Sequence, residues 1–473
     1  MGYGRSFDIG VFGSNFGHAV TQNLPVLVNQ DVLAQNNGNP NVAKNDYFPA
    51  FTLSQGPPVF TFPPNPSNGV LPLGGPQGNV QPRMRPTFQR LPTLDAWNVT
   101  LQRQVTNNTS VEVAYVANKG THGFAGNGPA YDLNPVAFGP GKEIVTTAGV
   151  APSFSPNTPS DQRRPFFNKF TYPGFTDSTG KTLTCCGAGI MGNFFGNDAS
   201  SNYKSLQARL DHRFSRGLQF QADYTFSHAN NFSNDFSGVY AVAPRLSYGP
   251  DDFNRNHVFI FNVVYDLPVG KGKMFAGSAG RALDLIIGGW QVSNTSNWAS
   301  GLPFTPSAGE CGLIHDTGPC NPDYKGGFST GAGSFDPVKH IVPFFTPVAG
   351  LAYPASSLTV GTDACTLARP SSGPFSLPAC GTDGNVGRNS FHGPRHFSSD
   401  MAVAKNFKFT ERFNGQFRVQ AYNVFNHPIY AFSSTQGNTC IDCGGNAGQI
   451  TGLESNFNGS GMRQLEFGLK LSF

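Results

Sequence analysis

Long segments of strict period-two alternation constrain this chain more than any other feature. At its end, Leu465, Phe467, Leu469, Leu471 and Phe473 fall on one side of an extended backbone, and Gln464, Glu466, Gly468, Lys470 and Ser472 on the other. Successive side chains of a strand point to opposite faces, so one face here is greasy and the other wet. The pattern recurs upstream. Leu218, Phe220, Ala222, Tyr224 and Phe226 alternate with Gln219, Gln221, Asp223, Thr225 and Ser227. Leu206, Ala208, Leu210 and Phe214 oppose Gln207, Arg209, Asp211 and Arg213. Trp97, Val99, Leu101 and Val105 oppose Asn98, Thr100, Gln102 and Gln104, and Val111, Val113 and Tyr115 form a partner segment. Further strands are expected at 256–267, 289–300, 398–409 and 411–425. Ordinary strands average about 5–6 residues, whereas a tilted membrane-crossing strand needs about 9–11. The lengths favour strands that cross a bilayer.

The connections point the same way. Thr106 to Thr109 and Ser215 to Gly217 are tight turns, as is the stretch between Phe407 and Phe413. Between the resulting hairpins run excursions such as 120–201 and 302–397, with little periodicity. Compact soluble domains rarely carry loops of that length, while outer-membrane barrels have short turns at one end and long loops at the other. Aromatics near expected strand ends (Trp97, Tyr115, Tyr203, Tyr265, Trp290, Trp298, Phe473) suit interfacial girdles. The expected fold is all-β: an antiparallel transmembrane barrel wall of about nine or ten strands with long extracellular loops. A secreted β-sandwich lectin also alternates. It would bury the greasy rows between two sheets.

Composition excludes the other classes. Charged residues are 13% of the 473, against about 25% in soluble domains, while Gly is 57, Pro 37 and Phe 43. So much Gly and Pro breaks helical bundles. Disorder needs fewer aromatics and more net charge than +4. Collagen would need a strict Gly period. No run of about 18 apolar residues offers a transmembrane helix. Nor is there the clustered basic field of a nucleic-acid binder, so no nucleic-acid partner is expected.

The eight cysteines fall into local pairs: Cys185 and Cys186, Cys311 and Cys320, Cys365 and Cys380, Cys440 and Cys443. Each pair sits in a loop-like stretch, which predicts small disulfide-closed loops in an oxidising compartment. The CxxC at Cys440 lacks the second pair of a zinc ribbon. No HExxH, Walker A or GxSxG motif is present, and neither catalysis nor a cofactor is expected. His392, His396 and Asp400 form a weak metal pattern, and Asp251, Asp252 and Asn254 give too few oxygen donors for calcium. Arg209, Asp211, Arg213, Arg418 and Glu466 are the candidate lumen-facing residues, either contacting a solute or plug or forming a solvated charge ladder.

Several blocks in order are distinctive, beginning with Trp97-Asn98-Val99-Thr100-Leu101-Gln102-Arg103-Gln104 and Val113-Ala114-Tyr115-Val116-Ala117-Asn118-Lys119-Gly120-Thr121-His122. They continue with Asn202-Tyr203-Lys204-Ser205-Leu206-Gln207-Ala208-Arg209-Leu210, Tyr224-Thr225-Phe226-Ser227-His228-Ala229, and Gly289-Trp290-Gln291-Val292 leading to Ser300-Gly301-Leu302-Pro303-Phe304. Asn385-Val386-Gly387-Arg388-Asn389 and Phe417-Arg418-Val419-Gln420-Ala421-Tyr422-Asn423-Val424-Phe425-Asn426-His427-Pro428 complete them. In these residues the chain resembles the Oar-like branch of TonB-dependent outer-membrane transporters. The resemblance implies a 22-stranded barrel with an N-terminal plug, drawn on by the TonB system. No signal peptide, TonB box or plug is visible, and Gly2 to Asp8 reads as a mid-barrel strand. The expectation is therefore that residues 1–473 are the C-terminal part of such a barrel, located in the outer membrane. Its partners would be outer-membrane lipid, the missing plug and N-terminal half-barrel, and the TonB system. A terminal strand ending at Phe473 resembles the signal read by the barrel assembly machinery. The rival readings are a passive outer-membrane pore, a surface-adhesion barrel, or a small barrel of about ten strands closing by itself.

Overall fold

The computed structural model describes residues 1–7, 52–56, 83–84, 90–123, 131–132, 170–176, 182–185, 193–194, 199–232, 247–308, 321–327, 342–344, 374–376, 378, 384–408, 413–431, 439, 441, 448–450, 452–453 and 462–472. Ten strands form one antiparallel meander. They are β1 (Gly2–Phe7), β2 (Thr93–Thr106), β3 (Thr109–Gly123), β4 (Ala199–Ser215) and β5 (Leu218–Asn231), then β6 (His257–Asp266), β7 (Trp290–Ala299), β8 (His396–Lys408), β9 (Asn414–Tyr422) and β10 (Gln464–Ser472). Each pairs with its successor, and a short strand, Gly249–Pro250, joins the far end of β5. Among the described residues the sheet is not closed: β1 and β10 are each paired on one side only.

Hairpin connections between neighbours fall alternately at two ends. At the turn end, β2 passes to β3 through Asn107 and Asn108. β4 passes to β5 through Arg216 and Gly217, whose φ angles of 51° and 87° make the mirror-image turn that matches strand twist. A β-carbon on Gly217 would also meet the Asp266 carbonyl oxygen at 2.8 Å. Between β6 and β7 stands a short helix, α1 (Arg281–Ile287), which period-two reading did not anticipate. The strand ends that lead into the long excursions all lie at the other end.

Register aligns the greasy positions into continuous rows. Leu101, Val113, Ala208, Tyr224, Phe259, Trp298 and Phe397 lie side by side from β2 to β8. Tyr265, Val292, Val403, Val419 and Phe467 form a second row from β6 to β10. None of these side chains is buried: Leu101 is 74% exposed and Phe467 66%, and Leu469, beside Phe417 on the same face, is 71% exposed. Among the described residues no second sheet covers them, which overturns the sandwich alternative. On β3 this face is bounded by Thr109 and Lys119. Ten residue steps make about 33 Å of strand, or roughly 25 Å across a bilayer at the usual tilt of barrel strands, which is the height of an apolar band. Two corrections apply to the expected girdle. Tyr203 pairs with Ala229 and Asn118 on the opposite, polar face, and Tyr115 stands mid-strand opposite Val99.

The principal hydrophobic cluster lies elsewhere, among the long connections. Phe304, Ala308, Val342, Phe344, Phe375, Val386, Ile441 and Ile450 are buried together, with Tyr324, Phe391 and Tyr430 packed against them. Phe304 and Phe375 are 0% exposed. Two-residue pairings stitch this cap: Phe304 with Phe391, Tyr324 with Phe375, and Val342 with Ile450. The chain thus turns its greasy strand rows outward and builds its dry core in the loops.

Candidate functional site

The polar face of the sheet concentrates charge on β3, β4 and β5. Register puts Glu112 beside Arg209 and Arg209 beside Asp223. The Arg209 guanidinium reaches Asp211 at 3.2 Å and Asp223 at 3.8 Å, and Gln221 Nε2 donates to Asp223 at 2.5 Å. Arg209 is exposed, so the pairs add little stability. They set a fixed pattern of alternating charge on an open surface. Arg213 is also exposed. Arg418 and Glu466 belong to β9 and β10, with four strands between β4 and β9. Tyr422 donates its hydroxyl to Glu466 at 3.1 Å. The expected set is therefore two groups on one face rather than one cluster.

At the loop end of the same face lies a cleft of about 410 Å³, with Ser6, Thr93, Ser201 and Asn231 as polar lining and Leu94 and Phe232 as apolar lining. On its floor Gly120 pairs with Ser201, and a β-carbon at 120 would meet the Ser201 hydroxyl oxygen at 2.5 Å. Hydroxyl, amide and aromatic groups facing one cavity can hydrogen-bond and stack on a neutral polar solute.

A second arrangement clasps the loops to the rim. Arg388 donates from Nη1 to Asn231 Oδ1 at 2.7 Å and to its carbonyl oxygen at 3.1 Å, and from Nη2 to Asp252 Oδ1 at 2.9 Å. Both charged side chains are largely buried. Asn389 adds donor bonds to the same Asp252 oxygen at 2.6 Å and to the Pro250 carbonyl at 2.8 Å. Asn385 plays the part of a missing strand: its Oδ1 accepts from the Tyr324 N–H at 2.7 Å and its Nδ2 donates to the Tyr324 carbonyl at 3.2 Å. Val386 enters the cap core. Asp251 accepts from Asn231 at 2.6 Å and from the Phe253 N–H at 2.8 Å. The aspartates weighed for calcium thus serve the clasp, and Asn254 bonds to the Ala229 N–H. Asp400, weighed with His392 and His396, accepts from the Asn423 N–H at 2.8 Å. Among the described residues no group of three or more metal-ligating side chains converges.

A family model described as an outer membrane beta barrel domain matches residues 1–466. The chain belongs to that family. Its place is accordingly the outer membrane. No curated protein matches. Among solved structures the chain is similar to the outer membrane transporter YddB from Escherichia coli, at 9% identity and a TM-score of 0.30. That alignment covers 74% of this chain and 31% of the transporter, so the chain spans under a third of the transporter's length.

Alternation in the sequence assigned Arg209, Asp211, Arg213, Arg418 and Glu466 to one polar face, and the strand register places them on that face. It missed the work of Arg388, Asn389 and Asp252, whose contacts join positions 136 and 137 residues apart. The Asn385-to-Asn389 block was a visible signal, but nothing in it names its partners. Cys311, Cys320, Cys365, Cys380, Cys440 and Cys443, and the terminal Phe473, lie outside the described residues.

Proposed function

We infer that this chain supplies the wall and the outer loops of an Oar-like TonB-dependent receptor for energised uptake. The observation that carries this reading is the combination, among the described residues, of a ten-strand wall that is not closed with a buried aromatic cluster in the long connections at one rim. Unpaired N–H and C=O groups facing lipid cost several kcal/mol each. The free sides of β1 and β10 therefore call for further strands, and a plug and first half-barrel would provide both closure and energy coupling. In this reading Arg209, Asp211, Arg213, Arg418 and Glu466 line the aqueous bore, the cleft near Ser201 makes early solute contact, and the barrel assembly machinery pairs with β10 during insertion. In this reading neither catalysis nor a cofactor is part of the chain's role.

A passive pore closed by these strands alone is the second reading, since ten is an allowed barrel number. The two separate in one experiment. The chain is produced alone and together with the plug and first half-barrel of an Oar-like receptor, and the outer-membrane fraction is isolated. The receptor reading expects heat-modifiable migration only for the pair and no steady conductance from the chain alone in planar bilayers. A stable open channel formed by the chain alone would defeat it.

A further inference from the structure

The connection from β6 to β7 projects from the turn end and differs from the other turns. It exposes Met274, Phe275, Leu283, Leu285 and Ile286 to the surroundings, with Met274 at 81% and Ile286 at 70%. Beside them it carries Lys271, Lys273 and Arg281 against a single acid, Asp284. This is a built unit and not a slack loop. Asp284 Oδ1 accepts from the Lys271 N–H at 2.6 Å, tying the glycine-rich turn to α1. The Phe275 N–H donates to the Pro268 carbonyl, and the Gly270 N–H to the Phe275 carbonyl, both at 2.9 Å. Gly270 takes a φ of 120°, and a β-carbon there would run into the Gly288 Cα at 2.7 Å.

The wall holds this unit by its greasy face. Trp290, Lys405 and Phe407 share the face of Val292 and Val403. Trp290 Nε1 donates to the Ile286 carbonyl at 3.0 Å. Lys405 Nζ donates to the carbonyls of Ile286 and Gly288. Its ammonium also lies 5.3 Å from the Trp290 ring centre and 5.4 Å from that of Phe407. The carbonyl end of α1 is thus pinned to the lipid side of the rim. Its exposed apolar side chains continue the lipid-facing surface, and a mixed apolar and basic surface at that depth suits the headgroup region of a bilayer.

We propose that the unit formed by Leu267 to Gly289 docks into the turn-side leaflet of the outer membrane, with Met274, Phe275, Leu283 and Ile286 among the upper acyl chains and Lys271, Lys273 and Arg281 on anionic phospholipid headgroups. It would fix the depth and tilt of β6 and β7 independently of any transported solute.

Photocrosslinking in intact outer membranes tests this. The phenylalanine analogue p-benzoylphenylalanine is placed at 275 or at 286, and in a reference chain at 467 on the strand face. Phospholipid adducts identified by mass are expected at all three positions. Lipid adducts at 467 with none at 275 and 286, or protein adducts at the latter two, would overturn the docking and leave the wall intact. No lipid at 467 would sink the wall reading and the docking with it. A second arm changes Lys271→Gln and Lys273→Gln together. Basic residues at an anionic surface act strongly enough that adduct yield at 275 should fall about tenfold at low salt, with yield at 467 unchanged. An equal yield at 275 would refute the headgroup contact.

Discussion

Arg388 shows how much one side chain does at the rim. Its planar fork donates to the Asn231 backbone, the Asn231 side chain and the Asp252 carboxylate at once. A lysine has one point charge and no fork, so it cannot reproduce that geometry. Asn389 completes the joint with φ at 54°, a left-handed conformation that asparagine tolerates better than most residues. Arg388→Ala would remove the Arg388 cation from the largely buried Asp252. Breaking such a pair costs about 3 kcal/mol, lowered here by the residual exposure of both groups. The expected outcome is faster limited proteolysis in the long loops while heat-modifiable migration of the wall persists. Arg388→Lys should fall between the wild type and Arg388→Ala. A proteolysis pattern unchanged in Arg388→Ala would show that the clasp does not hold the loops.

At the scale of the strand, the two faces should respond to charge in opposite ways. Phe467 lies in the middle of the outward row of β10, beside Val419. Gln420 lies on the other face, beside Glu466. An arginine on the lipid face near the bilayer midplane costs about 2–4 kcal/mol. Phe467→Arg should lower stability against urea in lipid vesicles by that order, and Gln420→Arg by less than about 1 kcal/mol. Equal losses would mean that the faces are assigned wrongly. This contrast rests on alternation, and alternation is why the strands were legible. Leu465 to Leu471 and Leu218 to Phe226 show their faces without knowledge of any partner strand. The two-residue pairings of the cap have no such period. Tyr324 meets Asn385 from 61 residues away, and sequence offers no local rule that joins them. The helix α1 was equally hidden, because seven residues are too few for a 3.6-residue period to stand out against Gly-rich surroundings. The polar face was legible, but not the split of its charges into Arg209 with Asp211 on β4 and Glu466 with Tyr422 across β9 and β10. Pairing choices within a face depend on register, which is set by turns such as Arg216-Gly217.

At the scale of the whole molecule, wall and cap draw stability from different sources. The wall is held by backbone ladders and by lipid around its outward rows, since those rows bury little against protein. The cap is held by a dry aromatic cluster: Tyr324 lies edge-on to Phe391 with centroids 5.3 Å apart, and Phe375 packs 5.7 Å from Phe391 and 5.5 Å from Tyr324. Removing detergent or lipid should therefore strike the wall, and emptying the aromatic cluster should strike the cap. Phe375→Ala deletes a side chain that is fully buried and should destabilise the cap by about 3–5 kcal/mol. Hydrogen exchange in vesicles is the suitable measurement. Amides of the cap, such as those of Tyr324 and Phe344, are expected to lose protection, while amides of β4, β5 and β6 keep theirs. Coupling between the two units passes through the Arg388 clasp at the end of β5, so some loss near Asn231 is consistent with the same account. A uniform loss of protection from β4 to β6 would instead show one cooperative unit, with the loop core serving as the nucleus that holds the wall together.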